Sequence, residues 1–371
     1  MTNALNDPKA PGYAIRPRLR VMSNGVEIPR AMVCSVTSNT NFSADRFSIS
    51  FAQTTKDVGT FKWWSQQRSL PVDIQLGLLP LGAAPDATPS WQSLTTGEAD
   101  KITIEMDRNA IHVEGRDLTA NLIDKKNTKE YVNQSSSDVI QSIAAAHGLT
   151  AKVASTTGTE GRFWTGGRET STLNASSRIT TEWDLVVALA KKEGFDAYVQ
   201  GSTLYFQPMA DPSSTPYIWL HHVNKQGHHI GNVQELRMDR ALAAAKGMTV
   251  KVKSWNSKQA RAIEKVSSLK TSIGSSGKSQ STEYILQKPD MTEDEAQSYA
   301  DATAAEFARH EMLISARLPG DMILTPRVMV SLQGTGTDFD QIYNVLSVTK
   351  VIDVKEGFYM HASCKNKASA A

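Results

Sequence analysis

The residues best placed to do chemistry are two pairs of adjacent histidines. His221 and His222 precede a short polar segment, Asn224–Gly227, and His228 and His229 follow it. A turn over this segment brings the imidazoles of two strands together, and imidazole is a good ligand for zinc, copper or nickel. No cysteine or carboxylate lies nearby in the sequence to complete a metal site. The pattern therefore favours partly exposed strand histidines over a metal site.

A further histidine, His112, lies two residues before Glu114 in an alternating segment. The two side chains therefore share one face of a strand. A carboxylate and an imidazole can form an acid–base couple, but only when both reach a substrate. A surface contact is the simpler interpretation.

Two short motifs resemble known sites, and each lacks a required residue. Residues 274–279 read GSSGKS and end like a phosphate-binding loop, but that motif needs a glycine where Ser272 stands and a buried strand before it. His310 and Glu311 resemble the start of a zinc-peptidase motif, but Ile314 occupies the position of the second histidine. We predict neither a nucleotide site nor a zinc site here.

Other catalytic signatures are missing from the sequence. It contains no Gly-x-Ser-x-Gly elbow and no dinucleotide-binding glycine motif after a strand. Paired catalytic carboxylates stay open, because geometry and not spacing defines them. We predict no catalytic residue, no metal and no cofactor, with a peptidoglycan hydrolase as the enzymatic alternative.

Length and composition indicate an ordinary globular protein. The 371 residues suggest two or three domains, and the net charge of +2 creates no general attraction to nucleic acid or membranes. Two cysteines, Cys34 and Cys364, are too few for a disulfide scaffold and are expected to be buried thiols. The N-terminus lacks the apolar core of a signal peptide, and no apolar run reaches the roughly 20 residues of a membrane span. We expect synthesis in the cytoplasm and no membrane insertion.

Positive charge is concentrated in one segment. Residues 246–278 contain eight lysines and arginines against Glu264 alone, and hydrophobicity falls after Asn256. The composition indicates a solvated basic loop, or a contact with an acidic neighbour or with passing DNA. The candidate contact or lumen residues are Lys251, Lys253, Lys258, Arg261, Lys265, Lys270 and Lys278.

The middle of the chain contains a doubled helix–strand unit. Residues 137–153 and 183–199 align without a gap, and each has apolar residues at helical spacing followed by a short alternating segment. Each copy opens with a hydroxyl cap three residues before an aspartate and ends its helix at a glycine. The matched residues are Ser135 and Thr181, Asp138 and Asp184, and Gly148 and Gly194.

Strand-like sequence flanks this unit on both sides. On the N-terminal side, Asn24 and Gly25 form a strong hairpin signal between alternating segments. On the C-terminal side, strands are predicted before and after a helix, one of them over residues 229–238. The helix starts with a capping box at Thr292 and includes Ile314. Between the two copies, residues 158–180 form a long loop, interpreted as either a plain flexible loop or a subunit contact.

One stretch resembles a known family. Residues 97–126 read GEADKITIEMDRNAIHVEGRDLTANLIDKK, with Gly115, Arg116 and Asp117 at the turn that follows the second strand. Here glycine is expected to end the strand and aspartate to cap a short helix. The stretch resembles the closing hairpin of phage tail baseplate hub proteins, a superfamily that includes the late control D proteins and the N-terminal part of type VI secretion spike proteins.

This resemblance implies a fold and a domain order. The fold class is α+β, mostly β, with two tube-like β-barrel domains and an intervening small α/β domain built from the doubled unit. The expected parts are listed by residue: 1–15 a flexible arm, 16–127 the first barrel, 128–210 the α/β domain, 211–365 the second barrel with the basic loop and long helix, and 366–371 a tail.

The resemblance also implies a function. A hub is a structural virion protein of the bacteriophage tail baseplate, a homotrimer that joins the tail tube to the central spike and encloses a passage for tape-measure protein and DNA during genome ejection and host cell entry. Its expected partners are further copies of itself, the tail tube protein, the central spike protein, baseplate wedge proteins and the tape-measure protein. A hub of a tailocin or of a type VI-like injection machine stays open as an alternative.

Overall fold

The computed structural model of the chain divides into two compact units. It describes residues 4–6, 15–40, 42–80, 82–84, 87–127, 129, 131, 134–156, 159–160, 181–208, 215–242, 248–256, 261–269, 282–288, 291, 293–308 and 311–366. The N-terminal unit comprises residues 11–213 and 349–360. The C-terminal unit comprises residues 1–10, 214–348 and 361–371.

The described part of the N-terminal unit contains strands, four α-helices and a short 3-10 helix, Met106–Arg108. Its strands are β1 (Ile15–Ser23), β2 (Val26–Ile28), β3 (Ala31–Asn39), β4 (Arg46–Ala52), β5 (Pro71–Pro80), β6 (Trp91–Glu105), β7 (Ala110–Asp117), β8 (Gln134–Ser135), β9 (Thr150–Val153), β10 (Thr159–Glu160), β11 (Phe195–Gln200) and β12 (Thr203–Pro208). Its described helices are α1 (Phe61–Ser65), α2 (Thr119–Asp124), α3 (Ser136–Ala146) and α4 (Glu182–Glu193).

The C-terminal unit is also mainly β. Its elements are β13 (Tyr217–Val223), β14 (His229–Gly231), β15 (Glu235–Arg240), β16 (Met248–Asn256), β17 (Arg261–Leu269), β18 (Thr282–Gln287), α5 (Glu293–Ala308), β19 (Met312–Pro319) and β20 (Met329–Gln333). Strands β21 (Ile342–Asp353) and β22 (Gly357–Asn366) follow, and residues 349–360 at their adjoining ends belong to the N-terminal unit.

An antiparallel sheet forms the first half of the N-terminal unit. Its strand order is β2-β1-β5-β6-β7-β4-β3, and alternate residues of each strand enter one apolar core. The predicted hairpin is confirmed, since Asn24 and Gly25 join β1 to β2 with φ of +49° and +79°. Thr349 hydrogen-bonds Thr37 of β3 at 2.9 Å between the two Oγ1 atoms.

The doubled unit forms a second core in the same unit. Helices α3 and α4 each begin with a capping box, Ser135 with Asp138 and Thr181 with Asp184. Both helices pack on the sheet β11-β12-β9, in which β12 runs parallel to β9 and antiparallel to β11. The indole N–H of Trp183 also donates to the carbonyl of Phe42, which ties α4 to the loop after β3.

The main sheet of the C-terminal unit has the order β14-β13-β20-β21-β22-β19-β15. Two sequence predictions are wrong here. Ile314 was expected at the end of the long helix but lies buried in β19, where burial alternates from Met312 to Leu318 with the period of a strand. The single strand expected over residues 229–238 is two strands, β14 and β15.

A smaller sheet with the order β17-β16-β18 carries α5 on one face. The structure differs from the sequence prediction here, because part of the segment expected to be a basic loop, Arg261–Leu269, is strand β17, which pairs with β16 from Asn256↔Arg261 to Met248↔Leu269. The core under α5 consists of two valines, an isoleucine and three helix alanines: Val250, Val252, Ile263, Ala296, Ala300 and Ala304.

Part of the expected N-terminal arm is held in place. The side chain of Asn6 forms two hydrogen bonds with the backbone of Ile218, at 2.7 and 3.0 Å, in the manner of a strand partner. The backbone N–H of Leu5 donates to the carbonyl of Pro216 at 3.1 Å. Among the described residues, no helix is long and apolar enough to cross a bilayer.

The fold class is therefore α+β and mostly β, as predicted. The N-terminal unit contains two apolar cores, one in the antiparallel sheet and one in the doubled unit. Closure of either large sheet into a barrel, and the predicted domain boundaries, stay predictions.

The glycines that follow α3 and α4 allow a direct test of the doubled unit. Gly148 has φ of +66° and Gly194 has φ of +69°, and no atom lies within 4 Å of a Cβ built on either. We expect Gly194→Val to lower the free energy of unfolding by about 1 kcal/mol or more, because a side chain disfavours positive φ. Chemical denaturation measures this change.

Gly82→Val is the matched control, since a Cβ at Gly82 also meets open space and its φ lies outside the positive range. Equal unfolding curves for the two variants would contradict the prediction.

Candidate functional site

Gly115 is required where two strands approach closely. It lies inside β7 and does not end the strand, which corrects the sequence interpretation. A Cβ at this position would come within 2.3 Å of both the Glu98 carbonyl oxygen and the ring of Phe47. The sequence pattern predicted that Gly115 ends the strand. In the structure, glycine is required at this position because a Cβ would have no space.

Arg116, the next residue, joins three elements. Its guanidinium contacts Asp100 of β6 at 2.7 and 2.8 Å and Asp124 of α2 at 2.9 and 3.2 Å. Hydrogen bonds to Asp100, then to Asp124, raise the pKa of Arg116 above its already high value. The side chain thus connects the closing hairpin to the helix that follows it.

Asp117 is turned inward. Its carboxylate accepts hydrogen bonds from the Thr119 N–H at 3.2 Å and from the Thr119 hydroxyl at 3.0 Å. The N-cap of α2 is Leu118, so Asp117 precedes the cap position that the sequence assigned to it. Burial, followed by the nearby charge of Asp45, raises the pKa of Asp117 to about 7.

The candidate basic residues on β16 are neutralised by glutamates. Lys251 contacts Glu283 at 2.7 Å and Glu264 at 3.3 Å, and Lys253 contacts Glu264 at 3.7 Å. The hydrogen bond to Glu283 is the main reason that the pKa of Lys251 is raised. The positive charges of Lys251 and Lys253 are therefore balanced by the two glutamates on this sheet.

Two candidate residues on β17 pair with the start of α5. Glu293 contacts Arg261 at 2.6 Å and Lys265 at 2.9 Å. These contacts, with the Lys265 hydrogen bond first, lower the pKa of Glu293. Sequence counting missed Glu283 and Glu293 because both lie beyond residue 278, and only the parallel pairing of β18 with β16 and the packing of α5 bring them back.

The face of the small sheet opposite α5 is open and partly apolar. We call it the open face; it comprises Thr249, Lys251, Lys253 and Trp255 of β16, Ala262, Glu264, Val266 and Ser268 of β17, and Glu283, Ile285 and Gln287 of β18. Three large apolar side chains on it are exposed: Trp255 by 57%, Ile285 by 52% and Val266 by 47%. Neutral ion pairs beside exposed apolar groups suit contact with protein better than contact with a polyanion.

The structure brings together two of the four histidines that the sequence analysis identified as candidate metal ligands. His221 Nε2 and His229 Nδ1 lie 3.2 Å apart, and burial followed by the nearby His229 and His222 lowers the pKa of His221. His112 hydrogen-bonds Ser50 through Nδ1 at 2.9 Å and lies 3.8 Å from Glu105. Within the described ranges, no group of three or more histidine, cysteine or acidic residues could hold a metal ion.

Several sequence predictions fall outside the described residues. These are Lys258, Lys270, Lys278, His310, the GSSGKS motif at 274–279 and most of the loop at 158–180.

A family model and several solved structures match this chain. The family model described as the Alg8 N-terminal domain matches residues 98–353, more than half of the chain. The chain belongs to the Alg8 N-terminal domain family. The matched region starts within the closing hairpin around Gly115 and includes the open face. No curated protein matches this chain by sequence.

Solved structures similar to this Alg8 N-terminal domain family member include two tail proteins and a chain of a PdpA–VgrG complex. The tail protein from Neisseria meningitidis MC58 is 13% identical with a TM-score of 0.67, and the comparison covers 95% of this chain and 97% of that one. The 43 kDa tail protein of prophage MuSo2 from Shewanella oneidensis is 12% identical with a TM-score of 0.63, covering 95% and 99%. A chain of the Francisella PdpA–VgrG complex is 8% identical with a TM-score of 0.53, covering 96% of this chain and 59% of that one. The predicted resemblance is thus confirmed for the fold, which this chain shares with these two tail proteins and with a chain of the PdpA–VgrG complex.

The raised pKa of Asp117 predicts a pH dependence of stability. An acid with a higher pKa in the folded state stabilises the fold fully at low pH, and this contribution is lost as pH rises from about 4 to about 7. We therefore expect the free energy of unfolding of Asp117→Asn, relative to that of the unmodified chain, to increase over this interval and stay constant above it. Urea unfolding at a series of pH values measures this difference.

Asp107→Asn, at an exposed turn, controls for the loss of one carboxylate. A difference between Asp117→Asn and the unmodified chain that stays constant from pH 4 to pH 8 would count against a buried, protonated Asp117.

Proposed function

We propose that this chain is the baseplate hub of a phage tail or of a closely related injection machine. In this role three copies join the tail tube to the central spike and enclose the passage for tape-measure protein and DNA. The observation that carries the proposal is the fold match to two tail proteins, one of them from a prophage, over 97% and 99% of their lengths. Matches that span whole chains support a shared architecture better than matches to single domains do.

The role proposed is structural and not catalytic. Three ionisable groups with strong hydrogen bonds have structural partners: Arg116 joins three elements, Asp117 holds the start of α2, and Glu293 holds two cations at the start of α5. A peptidoglycan hydrolase remains the alternative to test, through cleared zones in a gel that contains cell-wall material. Wall lysis that a single Asp or Glu substitution abolishes would favour the hydrolase.

The open face is proposed as a contact with a neighbouring tail protein. Solvent-exposed ion pairs contribute little to stability, so these pairs are not needed to hold the small sheet together. Trp255, Ile285 and Val266 lie exposed on the same face, beside the lysine–glutamate ion pairs. The exposed aromatic and aliphatic groups resemble the apolar centre of a protein interface, and the ion pairs beside them resemble its polar rim.

Copy number and position in an assembled particle test the hub role directly. We expect electron microscopy to find three copies of the chain on the tail axis, between tube and spike. Three-fold closure uses the same interface on every subunit. Six copies, or a position away from the axis, would exclude the hub. Native mass measurement should give three chains of 40.5 kDa when the isolated chain assembles alone.

A substitution on the open face tests the proposed contact. We expect Trp255→Ala to reduce incorporation of the chain into particles by about tenfold, since aromatic anchors carry much of the energy of an interface. Quantitative mass spectrometry of purified particles measures incorporation.

Val354→Ala is the control, because Val354 is 72% exposed and lies on the turn between β21 and β22. Equal incorporation of the two variants would remove the open face from the assembly contacts without affecting the hub proposal.

A further inference from the structure

We propose that His221 and His229 form a two-histidine chelate for a divalent transition-metal ion. The supporting observation is the 3.2 Å separation of His221 Nε2 and His229 Nδ1. Two imidazole nitrogens bound to one metal at about 2.0–2.1 Å with a tetrahedral angle lie about 3.3–3.4 Å apart. The two nitrogens are therefore nearly at chelating distance already.

The hairpin geometry places both rings on one face. His229 pairs with Val223, and His221 lies two residues before Val223 on the same strand, so both side chains project from the same side of the hairpin. His222 pairs with Ile230 and projects from the other side. The ring centroids of the chelating pair are 5.1 Å apart at an interplanar angle of 34°.

The loop between the strands is held by its own hydrogen bonds. The side-chain oxygen of Asn224 accepts from the N–H groups of Gln226 at 3.0 Å and His228 at 2.9 Å. The Asn224 N–H also donates to the His228 carbonyl at 2.9 Å. At the other end of the hairpin, the Asn232 side chain bonds the backbone of Ile218 and Leu220 at 2.8 Å each. A pair of ligands held in place before binding loses little freedom when metal binds.

The donor set indicates which ion binds and how strongly. Imidazole ligands suit nickel, copper and zinc, and water completes the coordination when the protein supplies two ligands. His229 is exposed, so its second ring nitrogen can carry a proton in contact with water. His221 Nδ1 is buried with no hydrogen-bond partner among the described residues. A hydrogen-bond partner on the second ring nitrogen of a metal-binding histidine commonly strengthens metal binding by about 10–100-fold. Because His221 Nδ1 has no such partner among the described residues, we expect modest affinity.

The test is calorimetric titration of the full chain, without a histidine tag, with Ni²⁺ at neutral pH. We expect one strongest site per chain, weakened about tenfold or more in both His221→Gln and His229→Gln. His222→Gln is the matched control on the opposite face of the same strand and should bind like the unmodified chain. Ni²⁺ should also raise the melting temperature of the chain and of His222→Gln, but not of the two ligand variants.

Loss of a ligand must be separated from loss of fold. His229 is exposed, so His229→Gln should keep the melting temperature of the metal-free chain, and its result decides the matter even if His221→Gln is destabilised. The proposal is overturned if the unmodified chain binds no Ni²⁺, if His229→Gln binds as tightly as the unmodified chain, or if His222→Gln weakens binding equally.

Discussion

The close contact between β6 and β7 governs the N-terminal unit. At Gly115 the two backbones, with the ring of Phe47, leave no room for a Cβ. This contact sets the register that turns Arg116 outward, to Asp100 and Asp124, and Asp117 inward. The chain then enters α2, whose Leu122 is fully buried in the core of the doubled unit. One steric constraint thus determines how the antiparallel sheet is followed by the α/β core within the same unit.

In the small sheet of the C-terminal unit, basic side chains lie beside glutamates, so positive charge does not accumulate there. The lysines of β16 and the basic residues of β17 meet glutamates from β17, β18 and the first turn of α5. Exposed pairs of this kind add little stability, and their main consequence is a neutral surface. On a neutral surface, the favourable free energy of contact with another protein comes from burial of Trp255 and its apolar neighbours.

Features set by neighbouring residues could be read from the sequence. The capping boxes of α3 and α4, the Asn24–Gly25 turn and the glycines after the two helices depend on interactions within a few residues. Strand β17 could not be predicted in the same way. On the face toward α5, its apolar residue Ile263 lies between Arg261 and Lys265, and its other buried contacts come from α5. Ile314 was misassigned because a single apolar residue fits a helix and a strand equally well.

Local sequence patterns were enough to predict the doubled unit, its caps and the β6–β7 hairpin, because short-range hydrogen bonds and side-chain periodicity specify them, and the family resemblance implied the α+β class. The folded structure was needed to show which charges cancel, which apolar groups stay exposed and which histidines meet. Lys251 finds Glu283 across a parallel strand pair, and His229 lies diagonally across a hairpin from His221. Strand register and helix packing set such contacts, and these depend on the burial of residues far apart in the chain.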